Sequence, residues 1–156
     1  MKIRDMQPDD LADVIKLMKE FAAFERLSKY CTTTKHRLFN VMFGKSSFVD
    51  GLVAEDNGKI VAYSLFYPNY ATFRGQRGTY LEDIYISPTH QGKGVGEAML
   101  RRIAKASKRQ GCERMDFQVL DWNTAAIGFY ERLGAVPDDT ERHFKFIDKA
   151  FDRLAG

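Results

Sequence analysis

Cysteine is scarce. Cys31 and Cys112 are the only two, too few for a disulfide framework and without metal-ligand spacing, while His36, His90 and His143 stand singly. No metal is therefore expected. Long apolar runs are also missing: nothing approaches the roughly 20 residues that cross a bilayer, and Met1 to Asp5 lacks the apolar stretch of a signal peptide. These absences predict a cytoplasmic protein with no membrane partner. Nor is there an excess of one charge, since 24 Lys and Arg face 21 Asp and Glu. The basic residues are spread along the chain without interleaved aromatics, so no nucleic-acid partner is expected, and the net charge of +3 suits phosphate on a small ligand equally well. Proline is rare and no linker, repeat or low-complexity stretch interrupts the chain. A single domain over residues 1–156 is expected, large enough to bury roughly 70% of its unfolded surface.

What is present is periodicity. Lys2 to Asp5 reads as a strand, and Pro8, Asp9 and Asp10 open a helix whose apolar positions Leu11, Val14, Ile15, Met18, Phe21 and Ala22 keep helical spacing. Thr32, Thr33 and Thr34 offer caps for a second helix to about Phe43. Phe48 to Glu55 and Lys59 to Tyr67 flank the turn Asp56, Asn57, Gly58, a hairpin signal. A loop with Pro68, Asn69, Gly75 and Gly78 leads to a strand from Thr79 to Ile86. Val95, Met99, Ile103 and Ala106 mark one face of a helix that Gly111 stops. Glu113 to Leu120 is predicted as a fifth strand, Asn123 to Leu133 as a helix, and Arg142 to Ile147 as a last strand before a short helical tail. This order describes a mixed α/β sheet.

Chemistry concentrates at Gln91, Gly92, Lys93, Gly94, Val95 and Gly96, between a strand end and a helix start. Unpaired backbone N–H groups and the positive end of the helix dipole favour an anion there, and glycines admit close approach. Three glycines alternating with Lys93 and Val95 exceed what a tight turn needs. The dinucleotide fingerprint wants its third glycine where Glu97 stands, although Asp116, about 20 residues on, imitates its ribose-binding acid. That turn also falls too late for a second mononucleotide half. Gly44, Lys45 and Ser46 echo the end of a P-loop whose opening glycine would be Phe39.

Tyr80 to Ile86 followed by Gln91 to Gly96 resembles the acetyl-coenzyme A motif of the GNAT N-acetyltransferase superfamily, whose turn reads Gln or Arg, any two, Gly, any, Gly or Ala. Trp122, Asn123, Ile127, Phe129, Tyr130 and Gly134 resemble the second half of that site. Leu81, Glu82, Asp83 and the Trp122, Asn123 pair are similar to the diamine (spermidine/spermine) and thialysine N-acetyltransferases. The resemblance implies a central, mostly antiparallel sheet with splayed fourth and fifth strands, flanked by helices. It implies acetyl-coenzyme A as cosubstrate, with backbone groups of Ile84, Tyr85 and Ile86 on the pantetheine arm and Gln91 to Gly96 on the pyrophosphate. A primary amine of a small molecule is the implied acceptor, and a homodimer the implied assembly.

An amine attacks a thioester only as the free base, and alkyl amines near pKa 10.4 are mostly protonated at neutral pH. Strand alternation predicts Glu82 on one face with Ile84 and Ile86, and Asp83 on the other with Leu81 and Tyr85, which excludes a carboxylate dyad. Glu82 among isoleucines is expected to be desolvated, with a raised pKa. Spacing alone favours a carboxylate paired with Arg or Lys; the resemblance makes Glu82 the base. Tyr130 lies at helical spacing from Ala126 and Leu133 and reads by itself as a core tyrosine. The resemblance makes it the acid that protonates the thiolate leaving group, and gives Asn123 a place on the cofactor arm besides its role as helix cap.

Glu25, Asp83 and Glu82 would form an acidic pocket for an ammonium group. Arg74 and Arg77, in the loop from Tyr70, would repel a long polycation and could instead hold a carboxylate, which predicts a short acceptor such as thialysine or a lysine-like amino acid. Arg101, Arg102, Lys105, Lys108 and Arg109 read as a solvated helix face. Two other functions are compatible with the residues: acetylation of protein lysines or N-termini, and a coenzyme A-binding sensor without catalysis.

Overall fold

The computed structural model describes residues 1–156, which divide into two compact units, Met1–Gln118 and Val119–Gly156. The first contains a five-stranded sheet in the order β1-β2-β3-β4-β5. Its strands are β1 (Lys2–Asp5), β2 (Asp50–Asp56), β3 (Lys59–Ala71), β4 (Gln76–Ile86) and β5 (Arg114–Asp116). All neighbours are antiparallel except β4 and β5. Three helices complete the unit: α1 (Leu11–Phe24), α2 (Lys35–Phe43) and α3 (Val95–Arg109). The second unit carries α4 (Thr124–Arg132) and α5 (Asp148–Ala155). No helix is long and apolar enough to cross a membrane.

Local chemistry sets the boundaries. The Thr34 side chain accepts from the Arg37 N–H and starts α2. Asn57 and Gly58 take positive φ, 49° and 75°, as a two-residue hairpin turn between β2 and β3 demands. Two apolar clusters lie on the sheet. One gathers Leu11, Val14, Leu17, Leu38, Met42, Tyr63 and Tyr85, from α1, α2 and one sheet face. The other gathers Leu52, Ala54, Phe66, Leu81, Val95, Met99 and Ile103, from α3 and the opposite face. Full burial of an Ile or Met side chain contributes about 1.5–3 kcal/mol, so Met99 and Ile103, both at 0% exposure, hold α3 firmly to the sheet. Within that apolar seam Thr79 donates to Ser107 at 2.7 Å, a buried pair that fixes where α3 sits along β4.

Three expectations are corrected. The segment containing Pro68, Gly75 and Gly78 is not a loop but the outer end of a long β3–β4 hairpin, turned by a short 3-10 stretch, Thr72–Arg74. Proline is tolerated because β3 has passed its last β2 partner at Phe66, so Pro68 has no ladder donor to lose on that side. The fifth strand is Arg114–Asp116 rather than Glu113 to Leu120, since its ladder to β4 ends at Tyr80↔Asp116. Residues 142–147 form no ladder, despite their alternating pattern; Phe144 and Phe146 remain exposed. A strand exists only where it is paired, and these residues have no partner strand in the chain.

Candidate active site

The head of α3 is built as an anion seat. Gly92 and Gly94 adopt φ of 69° and 76°, the left-handed region that a side chain disfavours, and a Cβ at either would point into open space. Glycine is there for backbone conformation rather than for room. Gly94 is the N-cap and provides no side-chain cap, so the first-turn amides of α3 remain as donors at the positive end of a 15-residue helix. The turn is tethered to the sheet: Gln91 Nε2 donates to the Ile86 carbonyl at 2.8 Å.

From Ile86 the open edge of β4 leads inward. Gly78, Thr79 and Tyr80 pair with Arg114, Met115 and Asp116, and beyond that point Leu81 to Ile86 have no β5 partner. The fourth and fifth strands part at Tyr80, so along Leu81 to Ile86 the backbone groups that point away from β3 have no strand partner. At about 3.3 Å per residue, the stretch from Ile86 back to Glu82 covers about 13 Å.

At the inner end of this edge the register breaks. Leu65 lies opposite Asp83 and Phe66 opposite Leu81, which leaves Glu82 as the extra residue of a β-bulge. Simple alternation fails here, and its prediction is corrected. Leu81 packs with Phe66 against α3 while Tyr85 packs with Tyr63 on the α1 side, although they stand four positions apart on one strand. Asp83 stays on the Tyr63 face, receiving the Tyr63 hydroxyl at 3.1 Å. Glu82 is exposed rather than desolvated among isoleucines, and it accepts the Tyr67 hydroxyl at 2.7 Å.

Asp83 carries a perturbed carboxyl. Burial raises its pKa, the Tyr63 hydrogen bond opposes this, and the charges of Glu82 and Glu25 add to the rise, which brings it to about 6. Glu25, just past α1, is itself raised by burial. Glu82 and Glu25 thus both act on the Asp83 carboxyl. Arg74 and Arg77 do not join them. Arg74 ends the 3-10 stretch at the hairpin tip, and Arg77 stands five residues before Glu82 on β4, about 17 Å along the strand.

Tyrosines surround these carboxylates. Tyr67 stacks on Tyr80 at 5.3 Å, and the Tyr63 and Tyr85 rings are 6.4 Å apart. The phenols of Tyr63 and Tyr67 are both pushed up, by burial first and then by the neighbouring acids, so both remain protonated donors. Sequence reasoning missed Tyr63 and Tyr67. Their spacing along β3 puts them on one face, but nothing short of the β3–β4 register identifies which acids they meet.

In the second unit, Asn123 is the N-cap of α4, its side chain accepting from the Ala126 N–H at 3.2 Å. That uses the carbonyl oxygen and leaves the amide nitrogen as a donor. Tyr130 lies in the last turns of α4, partly buried, its ring edge-on to Phe129 at 5.1 Å.

Comparison with known proteins decides the family, because the model of the acetyltransferase (GNAT) family matches residues 13–135. The chain belongs to the GNAT acetyltransferase family. This N-acetyltransferase is 35% identical over 167 residues to thialysine N-epsilon-acetyltransferase of Mus musculus, covering 99% of this chain and 97% of the relative. It is 29% identical to an L-ornithine N5-acetyltransferase of Arabidopsis thaliana, covering 86% of this chain and 78% of that one. Among solved structures, an integron cassette protein from the mobile metagenome of V. cholerae superposes with a TM-score of 0.82 at 20% identity, covering 99% of this chain and 96% of that one. The last likeness concerns the fold alone.

Proposed function

We propose that residues 1–156 act as one cytoplasmic N-acetyltransferase domain, moving the acetyl group of acetyl-coenzyme A to a primary amine of a small molecule by direct attack. The observation that carries this reading is the continuity of the anion seat at Gly92 to Gly96 with the unpaired edge of β4, which ends at the acidic, tyrosine-walled bulge. The pyrophosphate binds the amides of the turn from Gln91 to Gly96. The pantetheine arm pairs with backbone groups of Ile84, Tyr85 and Ile86, which delivers the thioester toward Glu82. Asn123 adds a donor for the arm.

The acceptor enters as an ammonium ion, held by Asp83 and Glu25. Glu82 takes its proton, directly or through water, and the neutral nitrogen attacks the thioester carbonyl. The carbon–sulfur bond then breaks, and Tyr130 gives its phenolic proton to the thiolate, whose pKa lies near 8.5. The proton taken before attack leaves through Glu82 to solvent, and the second proton, lost by the nitrogen once it has bonded to the carbonyl carbon, restores the Tyr130 phenol through solvent, so that one proton is released per turnover. Relatives named for thialysine and ornithine support an acceptor that is an amino acid with a side-chain amine. Of the two arginines proposed for its carboxylate, Arg77 shares a strand with Glu82 and is better placed than Arg74. A panel of amines tests this reading through thiol release: lysine-like amino acids turn over faster than spermine if it is right, and the reverse order rejects it.

Assembly as a homodimer is part of the same proposal. It is supported by large apolar side chains concentrated near the C-terminus, with Val136 88%, Phe144 84% and Leu154 65% exposed. Light scattering is expected to give twice the 17.9 kDa chain mass.

A further inference from the structure

Asp116 is the acid that imitates a dinucleotide fingerprint in the sequence, and the structure gives it a different partner set. It is the last β5 residue in the ladder, opposite Tyr80, at the point where β4 and β5 part. Asn69 of β3 reaches it from two strands away, Nδ2 donating to Oδ2 at 2.8 Å. The intervening residue on β4 is Gly78, the register partner of Asn69. A Cβ at Gly78 would lie 2.3 Å from Asn69 Oδ1 and 2.8 Å from Arg114 Cγ, so only glycine lets the amide pass over β4. Arg114 Nε donates to both oxygens of the same carboxylate, at 3.1 and 2.9 Å. Burial pushes Asp116 up, but the hydrogen bonds from Arg114 and Asn69 outweigh this and keep it ionised. Asn69 Oδ1 is buried without a hydrogen-bond partner, while its Nδ2 is committed to Asp116.

We infer that Asn69, crossing Gly78 to hold Asp116, is a positioning clasp that sets where β4 and β5 separate and hence the depth of the slot for the pantetheine arm. This rests on reading that slot as the acetyl-coenzyme A seat. The clasp touches no substrate. It acts by stopping the parallel ladder at Tyr80, so that from Leu81 onward the backbone groups of β4 that point away from β3 have no strand partner. With the clasp lost, β5 is free to slide or fray, and the mouth of the slot loses its fixed width. The amine pocket, built on β3, β4 and the end of α1, is not altered.

The test compares Asn69→Ala, Asp116→Ala and Asp116→Asn with the wild type, by calorimetry with coenzyme A, by steady-state kinetics and by amide hydrogen exchange. Asn69→Ala and Asp116→Ala are expected to weaken coenzyme A binding and raise KM for acetyl-coenzyme A about five- to tenfold, leave KM for the amine within twofold, and speed exchange at Met115 and Asp116. Asp116→Asn keeps an acceptor oxygen for Asn69 and is expected to stay within about threefold of wild type. Normal coenzyme A affinity in Asn69→Ala, or an equal rise in both KM values, overturns the clasp. Wild-type protein that takes up no coenzyme A would instead overturn the cofactor reading, and with it the purpose assigned to the clasp.

Discussion

Replacing Asp83 by Asn separates stability from function in a way that follows from its surroundings. In the folded chain its pKa rises from 3.8 to about 6, mainly through burial. A group raised in this way binds its proton more tightly when folded, so the associated cost is absent below about pH 4, grows between pH 4 and 6, and is complete above that. At 1.36 kcal/mol for each tenfold change in ionisation constant, the folded protein carries a cost of about 3 kcal/mol at pH 7. Asn cannot ionise and still accepts the Tyr63 hydroxyl, at a cost of about 1 kcal/mol for amide N–H groups that burial leaves poorly paired. The variant is therefore expected to be more stable at pH 7.5 by about 2 kcal/mol, or about 4–8 °C in Tm for a chain of this size. At pH 4 the advantage vanishes or reverses. Activity moves the other way: losing a charged hydrogen bond of about 1.5–3 kcal/mol raises KM for the amine about 10- to 100-fold. Thermal unfolding from pH 4 to 8, with kinetics at pH 7.5, provides both readouts. A Tm difference that does not change with pH, or a variant less stable at pH 7.5, refutes the reasoning.

Three further perturbations probe the remaining roles. Tyr130→Phe is expected to lower kcat at least tenfold while coenzyme A affinity, measured by calorimetry, stays within twofold; unchanged turnover removes the assigned acid. Glu82→Gln loses rate at neutral pH and recovers part of it at pH 9–10, where more of the amine is free base, and a flat ratio to wild type across that range argues for a structural carboxylate. Gly94→Ala forces a side chain into φ of 76° with no steric clash, so its cost is conformational, about 1–2 kcal/mol, and it should weaken coenzyme A binding as the turn relaxes.

The parts of this molecule legible in its sequence are those set by neighbours in the chain. The Asn57–Gly58 turn, the Thr34 cap, the apolar face of α3 and the glycines ahead of it each declare themselves through local backbone preference or a 3.6-residue period. The acceptor side depends on pairing between strands and is read less well. One inserted residue at Glu82 reverses the face of Leu81 and exposes the glutamate, and no count of alternating residues detects it. The same bulge keeps Asp83 on the Tyr63 face, where burial raises its pKa. The early end of β5 depends on Asn69 reaching across Gly78, a contact 47 residues long in sequence. The segment from Arg142 to Ile147 has the alternation of a strand without a ladder, because alternation describes a surface and not a partner.

The central claim is that the turn at Gly92 to Gly96 seats the coenzyme and that β4 guides its thioester to the acids at the bulge. Mixing the protein with acetyl-coenzyme A and a lysine-like amine, and following free thiol, tests it most directly. The account predicts thiol release that requires both reactants and falls sharply when a bulky residue replaces Gly94. Calorimetric uptake of NADH with no response to acetyl-coenzyme A, and no thiol from any amine, would contradict it.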